Sequence, residues 1–135
     1  MGSNEELTKW QVIANIKNGV YGFGTDKPDN KKFREDLMAI GFDLTHCVIA
    51  GADLRGADPR LLERVDLMDA GGTVLRGVRI NENQVIQFAV ATRSIDLDEI
   101  RKEEKWSDVI VLARAKLEKV DVIVEKVNKP LQKIR

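Results

Sequence analysis

Cysteine and histidine each occur once in the 135 residues, side by side at Cys47 and His46. A single thiol cannot close an internal disulfide, which excludes a stapled secreted scaffold and points to a reducing, cytoplasmic setting. On an extended segment adjacent side chains face opposite ways, so this pair cannot share a metal ion or act as base and nucleophile. Net charge is missing too: 22 basic and 22 acidic side chains sum to zero. That removes any bulk attraction to phosphate backbones or anionic membranes, while leaving room for a local patch of one sign. No apolar run approaches a membrane span, and no signal-peptide pattern opens the chain. Met1-Gly2-Ser3 reads as a cloning remnant. A membrane partner is therefore not expected, and nucleic acid is disfavoured.

What is present describes one soluble globular domain over 1–135, with 43% hydrophobic and 33% charged residues. Residues 3–41 carry helix signals around a loop. Ser3 or Asn4 with Glu6 suits a capping box, and Leu7, Trp10, Ile13 and Ile16 recur at helical spacing until Asn18-Gly19. The loop from Gly19 to Lys27 holds Gly19, Gly22 and Gly24, with Pro28 just beyond it. Its backbone N–H groups could cradle a phosphate, but that use wants a preceding strand, and here a helix precedes it. Docking of Tyr21 and Phe23 on the core is the expected reading. Asp29 or Asn30 then caps a second helix carrying Phe33, Leu37 and Ile40, which Gly41 ends.

From Phe42 to Ala57 the chain keeps a period of five. Leu44, Ile49 and Leu54 are five apart, and Phe42, Cys47, Ala52 and Ala57 precede successive centres by two. With Ala52-Asp53-Leu54-Arg55-Gly56, this stretch resembles the pentapeptide-repeat family. The resemblance implies a right-handed β-helix with centres and small partners inward and Asp53 and Asp58 outward. It covers 42–57 closely and 65–92 loosely, since Pro59 stands where a centre should be. Family members that protect gyrase by mimicking DNA are long and acidic, unlike this chain. The alternative is a conventional α+β arrangement. In it His46–Ala50 is a strand, Asp58-Pro59 starts a helix with Leu61, Leu62, Val65 and Met68 inward, and Gly71-Gly72 ends it. Thr73–Ile80 and Gln84–Thr92 then form a hairpin. Both give an α+β fold with a β-rich core over 42–94.

Residues 95–135 carry the second regularity. Ile110, Ala113, Leu117, Val120, Val124, Val127, Leu131 and Ile134 alternate by three and four, an apolar heptad seam flanked by charge. The spacing predicts a long C-terminal helix, preceded by a capping box at Asp96 and Glu99. Against it, Val120, Val122 and Val124 also alternate as a strand would, and Pro130 removes a donor.

No catalytic motif emerges, and no cofactor or metal site. Asp53, Asp58, Asp66 and Asp69 are close in sequence without a partnered base or a spaced ligand set. The expected function is a non-catalytic scaffold or protein–protein interaction module, cytoplasmic, forming a homo-oligomer or binding a partner protein through the seam. The alternatives are a small-molecule or nucleotide-binding protein using the glycine-rich loop 19–27, and a nucleic-acid-associated factor.

Overall fold

The computed structural model describes residues 7–67 and 74–126. Seven short helical segments dominate it, and the one sheet has two parallel strands. The elements are α1 (Lys9–Lys17), α2 (Asn30–Ala39), α3 (Pro59–Arg64), β1 (Arg79–Asn81), a 3₁₀ turn (Glu82–Gln84), α4 (Val85–Ala91), α5 (Leu97–Lys102), α6 (Trp106–Glu118) and β2 (Ile123–Glu125).

Local chemistry sets each start. Thr8 Oγ1 accepts the Gln11 N–H while Gln11 Oε1 accepts the Thr8 N–H, a reciprocal cap for α1. Ser3, Asn4 and Glu6 lie outside the described residues. The buried face of α1 is Val12, Ile13 and Ile16, and Trp10 stands outside it, 57% exposed beneath the Lys9 ammonium. Asp29 caps α2, whose Phe33 and Leu37 are buried. Between the two helices Tyr21 and Phe23 turn inward and meet Phe33 at centroid distances of 5.1 and 4.9 Å. Tyr21 keeps its hydroxyl satisfied by donating to Asp36 over 2.6 Å.

Through the middle of the chain, Asp43, Val48 and Asp53 form isolated parallel bridges with Asp66, Val74 and Arg79. The N–H groups of Leu44, Ile49 and Leu54 donate across these bridges at 2.8, 3.1 and 2.9 Å. Their side chains are buried, as are Cys47, Ala52 and Ala57. The expected β-rich core over 42–94, whether as coils of a β-helix or as a small sheet, does not form. Single bridges stand in place of ladders, with α3 in the chain between the two sets of partner segments and α4 following the last of them. Asp58 Oδ1 accepts the Arg60 N–H, and Pro59 preorganises the first turn of α3. Gln84–Thr92, expected as a hairpin strand, is helical over Val85–Ala91. In the 3₁₀ turn ahead of it the Asn81 N–H donates to Gln84 Oε1, and the run Val85–Ala91, apolar except at Gln87, has no strand alternation to resist helix formation. Met68, Gly71, Gly72 and Thr73 lie outside the described residues.

The long C-terminal helix is also corrected. α6 stops at Glu118, and Asp121 adopts a left-handed φ of 63°. The chain then returns as β2, parallel to β1, pairing Arg79 with Ile123 and Ile80 with Val124. The β-branched run Val120, Val122, Ile123 and Val124 favours extended backbone, and here that preference wins over heptad spacing. Helices α4 and α6 pack on each other, and α3 packs on α4, so the interior continues from the bridges into this group.

Candidate functional site

The expected seam is divided by the fold. Ala113 and Leu117 are completely buried, and α6 packs its face on α4. Ile110 and Val124 are partly buried against the core. Val120 sits in the turn after α6 and is 37% exposed. Val127, Leu131 and Ile134 lie outside the described residues. Leu117 anchors the chain reversal, since its carbonyl accepts the N–H groups of Val120 and Val122, each at 3.1 Å. The structure therefore uses Ala113 and Leu117 as interior side chains, not as a free face.

The glycine-rich loop spends its donors on itself and its neighbours. The Gly22 N–H donates to Gly19, Gly24 to Arg55 at 2.8 Å, Thr25 to Gly22 and Lys27 to Thr25 Oγ1. Gly24 has φ +87°, and a Cβ there would collide with the Asp53 carboxylate. The glycines let the loop lie flat on Asp53 and Arg55, a close backbone approach that explains their use without a ligand.

Asp53 and Arg55 belong to a clip that the sequence did not reveal. Arg55 donates to both Asp53 oxygens and, over 2.9 Å, to Glu125 Oε1; Arg79 Nε donates to Glu125 Oε2 over 2.7 Å. Glu125 is on β2, so the clip fastens the returning strand to the bridged segments 70 residues away in sequence.

Among the ionisable groups that depart from their ordinary protonation, the carboxyls move down and the thiol, the phenol and two guanidinium groups move up. Burial raises the Asp53 carboxyl, but hydrogen bonds and charge from Arg55, then Arg79, outweigh it and hold it low. The Thr45 hydroxyl and N–H lower Asp43, and Arg60 lowers Asp58. The Asp96 N–H and Lys116 lower Glu99. Burial raises the Cys47 thiol; burial and the Asp36 contact raise the Tyr21 hydroxyl far above its usual value. Carboxylates become firmer anions, and the thiol and phenol become firmer neutral groups. A general acid or base needs the opposite shift. Among the described residues no group of three or more His, Cys, Asp or Glu side chains gathers to hold a metal ion.

Two surface features remain. One is a groove of about 430 Å³ between α2 and α3, where Lys31, Arg34, Arg60 and Arg64 face a single carboxylate, Asp58. The other is apolar. Among the described residues, ten large hydrophobic side chains are well exposed, and five of these fall between Leu97 and Ile123, which marks the C-terminal part as the stickiest surface. Leu97, Trp106 and Val111 are 56%, 61% and 67% exposed on α5 and α6. Leu97 and Trp106 were legible as an apolar face with Ile100, but Val111 was not, because it lies between two positions of the buried stripe of α6. No protein-family model matches the chain, and no curated protein or solved structure matches it.

Proposed function

We propose that this chain is a non-catalytic interaction module whose partner is a protein, a second copy of itself, met through the outer faces of α5 and α6. The observation that carries the reading is the exposure of Leu97, Trp106 and Val111, each more than half open to solvent on neighbouring helices. Lys116 Nζ lies 3.2 Å from Glu99 Oε1, an ion pair that links α5 to α6. Large apolar side chains grouped on a surface favour burial in an interface, and tryptophan is the residue type most enriched at interface hot spots. The charges around them are of both signs, Asp98, Glu103 and Glu104 beside Arg101, Lys102 and Lys105, so a symmetric copy can set acid against base.

Val111 stands on the side of α6 away from the heptad stripe, whose middle is already covered by α4, while Trp106 continues the stripe at the exposed N-terminal end of the helix. No helix among the described residues is long and apolar enough to cross a membrane. A cytoplasmic setting accords with a lone, buried, protonated Cys47.

Sedimentation velocity across a concentration series tests the reading, with the wild type beside a Trp106→Asp/Val111→Asp double variant. The wild type is expected to move from monomer to dimer, and the variant to stay monomeric with an unchanged circular dichroism spectrum. A wild type that is monomeric throughout, or a dimer indifferent to the double variant, contradicts it.

A further inference from the structure

The groove between α2 and α3 concentrates positive charge in a chain whose total is zero. Lys31 and Arg34 come from α2, Arg60 and Arg64 from α3. Asp58 is the only carboxylate lining it, and Asp58 is engaged by Arg60 through Nη2 at 3.0 Å and Nε at 3.3 Å. One anion, bonded to Arg60 and with its pKa also lowered by the charge of Arg34, thus faces four cations. Lys31 and Arg34 form no side-chain ion pair among the described residues, and Arg64 forms none either; its guanidinium instead lies 4.1 Å over the Phe42 ring. A contact of that kind holds the guanidinium against the ring face without using its N–H donors in an ion pair.

The walls are held at a fixed spacing. Asn30, the first residue of α2, donates from Nδ2 to the Gly56 carbonyl at 2.9 Å and accepts the Asp58 N–H at Oδ1 over 2.8 Å. One side chain therefore ties the start of α2 to the cap of α3, and the cations they carry share one rigid frame. Glu63, the other acid of α3, lines the neighbouring groove with Asp66 and Asp96 and not this one. A cleft of this volume suits a small ligand, and planar guanidinium donors match the oxygens of a phosphate.

We infer that this groove binds a small phosphate-bearing ligand, with Arg34 and Arg64 as its principal contacts, Lys31 as a supporting charge and Arg60 oriented by Asp58. The site is on different elements from the α5–α6 contact, so either can fail without the other.

Isotope-edited NMR at physiological salt, with inorganic pyrophosphate as the probe, decides the matter. The expected result is saturable shifts confined to amides of 30–34 and 57–64. Arg34→Ala and Arg64→Ala should each weaken binding by about tenfold, as loss of a charge-assisted hydrogen bond implies. Lys119→Ala, outside the groove, should leave it unchanged. Arg34 is exposed, so its variant keeps the fold even if Arg64→Ala disturbs Phe42. Non-saturating shifts, shifts scattered over all basic residues, or wild-type affinity retained in both arginine variants overturn the inference. A short single-stranded RNA that binds far more tightly than pyrophosphate, in proportion to its length, also overturns it, in favour of a nucleic-acid surface.

Discussion

Gln84 reaches from the turn before α4 to the carbonyl of Leu54, donating from Nε2 over 2.7 Å while the same nitrogen serves Ala57 at 2.8 Å. Its Oε1 accepts the Asn81 N–H at 2.6 Å, and the residue is 1% exposed. One amide thus satisfies three backbone groups from two segments about 30 residues apart in sequence. Gln84→Leu roughly keeps the volume but removes the amide from all three; the Leu54 carbonyl retains the Ala57 N–H at 3.0 Å, while the Ala57 carbonyl and the Asn81 N–H lose their Gln84 partner. Each buried group left unpaired costs about 1–3 kcal/mol, so the variant should unfold at clearly lower denaturant concentration with an unchanged slope. A midpoint equal to the wild type would mean that water replaces the amide without loss.

The clip at Glu125 ties stability to pH. Asp53 has a folded-state value held below the ordinary carboxylate range, so its contribution is complete above about pH 4 and is lost as pH falls through the lower folded value. Asp53→Asn should therefore melt below the wild type near neutrality, and the gap should close on acidification. Arg55 shares the clip at 25% side-chain exposure, so Arg55→Ala should cost about 1 kcal/mol and lose most of that in high salt. A gap between wild type and Asp53→Asn that is independent of pH would remove the electrostatic account.

Leu117 and Val111 lie on opposite sides of one helix and should respond oppositely. Leu117 is fully buried, so Leu117→Ala should destabilise by about 2–5 kcal/mol. Val111→Ala, at 67% exposure, should change monomer stability by no more than about 0.5 kcal/mol. Thermal unfolding at low protein concentration makes the comparison. Equal effects would return the heptad stripe to the surface.

Cys47 is buried, donates to the Thr45 carbonyl over 3.6 Å, and has its thiol pushed up by burial. An aromatic disulfide reagent should therefore label the native protein only at its opening rate and label the denatured protein at once. Immediate native labelling would place the thiol at the surface.

Short-range signals made much of this structure legible. Asp29 and Gly41 bracket α2, Asp58 and Pro59 open α3, and Asp96 with Glu99 caps α5, as the reciprocal hydrogen bonds confirm. The burial of Leu44, Ile49 and Leu54 followed from their spacing, but the architecture around them did not. The Val85–Ala91 run has no alternation, so only its contacts with α3 and α6 settle it as helix. The heptad spacing through Leu117, Val120 and Val124 concealed a break, because Asp121 takes a left-handed turn that spacing cannot encode. The basic groove was hidden for a different reason. Its cations lie in two runs, Lys31 with Arg34 and Arg60 with Arg64, and a zero net charge cancels them in any sum.

The central claim is that α5 and α6 meet a second copy through their outer faces. Ala115 is exposed, one turn beyond Val111, and Cys47 is buried, so a spin label on Ala115→Cys reports one site per chain. Double electron–electron resonance at high protein concentration should give a resolved distance between labels on two chains, which disappears when Trp106→Asp is added. A featureless decay at every concentration, with the fold intact, would contradict the account.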